Sequence, residues 1–188
     1  MTRLGILAAL LLVVSFQVGI LSSPASAVDC QGETATIVGD GAGNTLNGDQ
    51  NHNVIAGLGG DDVINGKGGS DTICGNQALD FVMETDSPSV NDAGDLINMG
   101  ENCDFVYTSY RGNDTIHGGD QGDGLYYGGC GQSQGLWGGV GDDTIYGDLG
   151  DDEIIGGGGN DTAYCGGGTN DSYDPGTTEH AYDCEHIV

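Results

Sequence analysis

Positive charge is what this sequence has least of: three Lys and Arg in 188 residues, against 29 Asp and Glu. A chain so poor in cationic side chains cannot follow a phosphate backbone, which excludes nucleic acid as a partner and favours cations instead. Proline, with three residues, and aromatics, at 6%, are also scarce. Beyond one apolar run at the start, no window has a 3.6-residue apolar period. The 38 glycines would each cost a helix about 1 kcal/mol relative to alanine, so helix is excluded past that run. No C-x-x-C pair is present and the four histidines do not join cysteines at ligand spacing, which excludes a structural zinc site. H-E-x-x-H is missing too, and with it the metalloprotease class. Few aromatics and high net charge would suit a disordered chain. Against disorder stands the fixed spacing of the acidic residues.

The apolar run, Leu4–Leu21, follows Arg3 and leads to Ala25-Ser26-Ala27. A charged start, an apolar middle and a small-residue cleavage site make residues 1–27 a secretory signal peptide. About 18 apolar residues nearly span a bilayer, but no stop-transfer segment follows, and Asp29 stands where a lipid attachment motif at Cys30 needs a small neutral residue. The expected mature chain, 28–188, is secreted and extracellular, with no membrane span. Losing Arg3 and no acidic residue leaves Lys67 and Arg111 against 29 carboxylates, a formal charge of −27. All six cysteines (30, 74, 103, 130, 165 and 184) lie in this part, and an even count in an exported chain implies up to three disulfides.

What is present in abundance is a nine-residue period. Gly138–Tyr164 divides into GGVGDDTIY, GDLGDDEII and GGGGNDTAY. Each unit opens on glycine, has Asp sixth (Asp143, Asp152, Asp161) and an aliphatic or small residue eighth (Ile145, Ile154, Ala163). A unit therefore reads as a glycine-rich turn followed by a three-residue strand. Upstream the frame covers Gly39–Met83, with Asn44, Asn53, Asp62, Asp71 and Asp80 sixth and Leu46, Ile55, Ile64, Ile73 and Val82 eighth. Residues 28–38 form a degenerate N-terminal cap with Ile37 inward. The frame weakens over 84–102, where Ser87-Pro88-Ser89 interrupts it and only Asp95 with Ile97 keeps the pattern. It resumes with Asp104 and Val106, Asp114 and Ile116, and Asp123 and Leu125; Gln134 then stands at the sixth place before Leu136. Cys165–Tyr173 is a weak closing unit with Asn170 sixth, and 174–188 form a C-terminal cap. Two units make an 18-residue coil with two strands, and about eight coils stacked at ~4.8 Å predict one domain shaped as a rod on the order of 40 Å long.

These units resemble the repeats-in-toxin nonapeptide family, GGxGxDxUx. The Cys-bearing cap with Ala35-Thr36-Ile37-Val38-Gly39 and the terminal Asp183-Cys184-Glu185 further resemble small secreted bacterial stand-alone calcium-binding proteins. The resemblance implies an all-β fold, a right-handed parallel β-roll, with calcium between turns n and n+2 on one edge. Its ligands would be Asp62, Asp71, Asp80, Asp104, Asp114, Asp123, Asp143, Asp152 and Asp161, with Asn44, Asn53 and Asp95 as lesser members. Shared sites follow for Asp62 with Asp80, Asp104 with Asp123, and Asp143 with Asp161. Less complete pairs are Asn53 with Asp71, Asp95 with Asp114, and Gln134 or Asn170 with Asp152. Turn chemistry alone explains Asp and Asn beside Gly, but not a column of like charges about 5 Å apart, which repel by roughly 1 kcal/mol even in water.

The resulting expectation is a non-catalytic, secreted calcium-binding protein whose folding is coupled to calcium. A string match to the hydrolase motif, Gly131-Gln132-Ser133-Gln134-Gly135, lacks the strand-to-helix elbow that such a serine needs. Two alternatives come from other classes: an adhesive or envelope-structural module meeting glycan or cell wall, and a polysaccharide-active solenoid enzyme. The first would use ninth-place tyrosines, Tyr107, Tyr126, Tyr146, Tyr164 and Tyr182, at intervals of 19, 20, 18 and 18. They predict one aromatic face, with His117 and Trp137 on the opposite one. Cys165 and Cys184 are one coil apart and form the best disulfide pair. Cys103 is open to Cys74 or Cys130, and Cys30 lies half a coil out of phase with Cys74.

Overall fold

A computed structural model describes residues 27–84, 93–108, 112–120, 123, 135–168, 171–174 and 180–187. The first 26 residues, where most of the expected signal peptide falls, lie outside this set, as do Tyr126, Cys130, Ser133, Gln134 and Asn170. Among the described residues no helix is present that is long and apolar enough to cross a membrane.

A two-stranded antiparallel hairpin comes first, β1 (Asp29–Cys30) and β2 (Glu33–Thr34). After it the strands alternate between two parallel sheets of eight. In chain order they are β3 (Ile37–Val38), β4 (Thr45–Asn47), β5 (Val54–Gly59), β6 (Val63–Asn65), β7 (Thr72–Gln77), β8 (Phe81–Glu84), β9 (Leu96–Glu101) and β10 (Phe105–Thr108). Then come β11 (Thr115–Asp120), β12 (Leu136–Val140), β13 (Thr144–Leu149), β14 (Glu153–Gly158), β15 (Thr162–Tyr164), β16 (Ser172–Asp174), β17 (His180–Tyr182) and β18 (His186–Ile187). Odd-numbered strands from β3 build one sheet and even-numbered strands from β4 the other, each strictly in chain order. The chain therefore winds as a parallel β-roll.

A three-residue strand cannot bury a core alone, so stability comes from stacking the inward residues of successive coils. In the odd sheet Ile37, Ile55, Ile73, Ile97, Ile116, Ile145, Ala163 and Ala181 stand in register. In the even sheet the row is Leu46, Ile64, Val82, Val106, Leu136, Ile154 and Tyr173. Ile55, Ile64, Ile73, Val82, Ile97, Val106, Ile116, Leu136, Ile145, Ile154, Ala163 and Tyr173 form one continuous buried cluster.

Two features depart from the nine-residue frame. Leu136, not Leu125, fills the inward place between Val106 and Ile154. The even sheet thus offers one place where the frame expects separate units around Asp123 and Gln134, and every later unit changes sheet relative to the ideal alternation. At the C-terminal end Tyr173 is inward, so the closing unit is Gly166–Asp174, GGGTNDSYD, with Asp171 sixth and Cys165 an extra residue.

The hairpin is pinned to the roll at its N-terminal end by a Cys30–Cys74 disulfide, where Cys30, Val54, Cys74 and Ala35 pack together. The half-coil phase mismatch does not prevent this pair, because Cys30 sits on a hairpin outside the coil stack. Cys165 and Cys184 are joined with Cα atoms 5.1 Å apart. Cys103 is also disulfide-bonded.

Candidate metal centre

Each sixth-place residue ends a turn with its backbone entering the next strand and its side chain turned inward. The 11 aspartates at such places (Asp62, Asp71, Asp80, Asp95, Asp104, Asp114, Asp123, Asp143, Asp152, Asp161 and Asp171) are between 0 and 4% exposed. Their Oδ1 atoms accept hydrogen bonds from the backbone N–H of the sixth-place residue one coil earlier, at 2.6–3.0 Å. Two columns result, one along each edge of the roll. The first runs Asn44, Asp62, Asp80, Asp104, Asp123, Asp152, Asp171. The second runs Asn53, Asp71, Asp95, Asp114, Asp143, Asp161.

The structure thus brings together the pairs Asp62 with Asp80, Asp104 with Asp123, Asp143 with Asp161, Asn53 with Asp71 and Asp95 with Asp114. It differs over Asp152, whose column neighbours are Asp123 and Asp171, not Gln134 and Asn170. The change of column after Asp123 is the reason: Asp114 and Asp143 become neighbours across 29 residues. Asp95 occupies a full place although its surrounding sequence is irregular. Asp171 was hidden by the one-residue offset after Cys165. Its signal is legible only once Gly166 is taken as the start of the unit.

Asn44 and Asn53 head the two columns. Their Oδ1 atoms accept from their own turns, Asp40 and Asp49 N–H, because no acidic coil precedes them. A neutral amide makes that bond as well as a carboxylate would, without adding a buried charge.

The glycines follow from the carboxylates. A Cβ on Gly147, the first residue of its unit, would stand 2.5 Å from Asp152 Oδ2 and 2.6 Å from Cys165 O. The fourth-place Gly60 has φ +85°, and its Cβ would lie 2.4 Å from the backbone carbon of Ala42 in the neighbouring coil. Gly147→Ala is therefore expected to destabilise the calcium-saturated protein by about 1–3 kcal/mol. Gly158→Ala, where the nearest atoms are 3.8–4.0 Å away, is expected to be nearly neutral. Paired thermal melts check this, and equal melting temperatures would contradict it.

The second oxygen of each carboxylate is the chemical problem in this fold. Oδ2 of Asp62, Asp80, Asp104, Asp123, Asp143, Asp152 and Asp171 is buried and accepts no hydrogen bond. Cationic side chains do not help: Lys67 donates to Gly48 O, and the ion pairs among the described residues, His52–Glu33 and His117–Asp148, lie outside the columns. Burial therefore pushes the carboxyls up, opposed by the backbone N–H and reinforced by column neighbours. Asp80, Asp104 and Asp152 rise to about 7, Asp143 to about 8 and Asp123 to about 9. Asp62 and Asp171 shift in the same direction. Either protons or cations must neutralise these columns. An all-oxygen donor set suits a hard cation such as calcium. No three His, Cys, Asp or Glu side chains converge among the described residues, so much of the shell would come from glycine-turn carbonyls and water.

The aromatic face differs from the one the spacing predicts. His117, Tyr146, Tyr164 and Tyr182 stack on the odd sheet with centroids 4.4, 4.8 and 5.0 Å apart and interplanar angles of 2–14°. Tyr107 lies on the even sheet, edge-on to Trp137 at 4.7 Å. The same change of sheet placed the later tyrosines on the odd sheet and put His117 beneath them. A sugar binds by lying on an aromatic face, but both faces of Tyr146 and Tyr164 are covered by neighbouring rings. The stack fits a stabilising ladder better than a glycan platform. Tyr164→Ser, removing two ring contacts, should lower stability by about 1–2 kcal/mol, read as the midpoint of denaturant unfolding with calcium present. An unchanged midpoint would contradict the ladder.

The RTX calcium-binding nonapeptide repeat family matches the chain in four copies, over residues 38–73, 108–129 and 137–172. Among curated proteins and solved structures no match was found.

Proposed function

Since the chain belongs to the RTX calcium-binding nonapeptide repeat family, we propose that it is an exported, non-catalytic β-roll that takes up calcium along both acidic columns and folds as it does so. The observation that carries this reading is the row of buried Oδ2 atoms without a donor. Calcium supplies the positive charge that these oxygens lack. Asp62, Asp80, Asp104, Asp123 and Asp152 would hold it on one edge, and Asp71, Asp95, Asp114, Asp143 and Asp161 on the other. Asn44 and Asn53 would contribute neutral oxygens at the head of each column. The first-place glycines leave room for the carboxylates, and the columns set a common spacing for every coil.

Export is supported by Arg3, the Leu4–Leu21 run and Ala25-Ser26-Ala27, and by disulfides at both ends of the roll, which persist in oxidising compartments. Low calcium inside a cell and higher calcium outside would confine folding to the exported chain. Absence of catalysis is supported by the use of the buried carboxylates as a repeated structural set, with no single one placed differently from the rest. Isothermal calorimetry tests the reading. Calcium should bind at several sites with heat that includes folding, seen together with a gain of β-sheet circular dichroism. A titration without heat at millimolar calcium would refute it.

A further inference from the structure

The first column does not stop at the last repeat. Ser172 pairs with His186 and Tyr173 with Ile187, which puts Glu185 in register with Asp171, at the place an aspartate fills in the coils before it. Glu185 Oε2 accepts from Asp171 N–H at 3.1 Å, the same bond that each column aspartate makes with its predecessor. His186 N–H in turn donates to Asp171 O at 3.0 Å. The repeat family's match ends at residue 172, so Glu185 belongs to no nonapeptide.

Its partner is unsatisfied. Asp171 is fully buried, and its Oδ2 accepts no hydrogen bond. The Asp171 backbone N–H serves Glu185 but not the Asp171 carboxylate, and the two carboxyls lie close enough to share a proton, so once both are ionised they need a cation in the proton's place. Glu185 is itself exposed, so this position opens to solvent at the C-terminal end. Its backbone is fixed from one side by β18 and from the other by Cys184, whose sulfur is bonded to the fully buried Cys165. The disulfide thus holds a non-repeat carboxylate at a repeat position.

We propose that Asp171 and Glu185 form a terminal divalent-cation site, beyond those that the repeats supply, with Glu185 as its outer ligand. The inference rests on the calcium reading above, and it makes Glu185 more than a hydrogen-bond cap. Glutamine at 185 would still accept from Asp171 N–H through its amide oxygen, while losing the charge that binds a cation. Calcium calorimetry on the wild-type chain and on Glu185→Gln separates the two roles. The expected result is one site fewer, or one site weakened at least tenfold, with the remaining affinities unchanged. Unfolding of both proteins at pH 4 in chelator should be the same, because the cap persists.

Glu185→Asp guards against a trivial loss of folding: it should keep the wild-type stoichiometry at reduced affinity. Equal stoichiometry and affinities in wild type and Glu185→Gln would overturn the terminal site while leaving the repeat sites standing. Loss of a site in Glu185→Asp as complete as in Glu185→Gln would also overturn it, since the effect would then follow side-chain length and not charge. A wild-type chain that binds no calcium would overturn both readings together.

Discussion

Stripped of calcium at neutral pH, this chain is expected to lose the roll altogether. Seven of the column aspartates place an unpartnered oxygen in the interior, while Lys67, His52 and His117 are engaged with other groups. Each cation present at a thousandfold excess over its dissociation constant contributes about 4 kcal/mol to the folded state. Two such sites already match much of the ~5–15 kcal/mol that separates an ordinary domain from its unfolded chain. With a formal charge of −26, the unfolded chain is also expanded by self-repulsion. Excess chelator should abolish the β-sheet circular dichroism signal and raise the radius of gyration towards about 40 Å. Magnesium should restore less structure than calcium, since it prefers a rigid octahedral shell and keeps its waters. A chain whose circular dichroism and hydrodynamic radius are unchanged by chelator would sink this account.

A second expectation reverses the usual behaviour of acidic proteins: without calcium, acid should fold this chain. Burial first, and neighbouring column charges after it, raise Asp80, Asp104 and Asp152 to about 7, Asp143 to about 8 and Asp123 to about 9. In the unfolded chain these groups titrate near 4. The folded state therefore binds more protons than the unfolded one between about pH 4 and pH 9, so stability falls as pH rises through that window. Below about pH 4 both states are protonated and the penalty is absent. A carboxyl moved from 3.8 to about 7 costs the deprotonated fold roughly 4 kcal/mol, and several act together. The chelated protein should gain β-sheet signal as pH is lowered from 8 to about 4. Calcium added at pH 8 should produce the same signal, because cation and proton neutralise the same oxygens. With calcium saturating, the dependence changes sign: binding needs the carboxylates deprotonated, so affinity should weaken on acidification. A chelated chain equally unstructured at pH 4 and pH 8 would contradict the buried-carboxylate argument.

Much of this was legible before any fold was known. In perfect units such as Gly147–Ile155, GDLGDDEII, the glycines, the sixth-place Asp152 and the eighth-place Ile154 each answer a local demand: room for a carboxylate, a turn of the right hand, an inward apolar contact. Local demands recur in sequence at the same spacing as in space, so the repeat, the alternation of strands and the rows of Ile55, Ile73 and Ile145 could be read directly. Asn44 and Asn53 were legible as departures, although their reason was not. They are neutral because they head the columns, and that is a property of the stack and not of the unit.

What sequence alone determined is thus the unit: nine residues, one strand, one acidic group, and a chemistry of oxygen ligands suited to calcium. Tertiary structure decided which units meet. Whether the units around Asp123 and Gln134 filled one place in the stack or two was undetermined by local pattern, because an insertion and an imperfect repeat look alike along the chain. The stack has one place, since a single apolar residue stands between the inward Val106 and Ile154, and Leu136 fills it. That choice set Asp143 beside Asp114, Asp152 between Asp123 and Asp171, and His117 under Tyr146. It is also the stack that carries the acidic column past the last repeat to Glu185. Register between coils is a non-local quantity, fixed by packing and by hydrogen bonds across 18 to 29 residues, and no nine-residue window contains it.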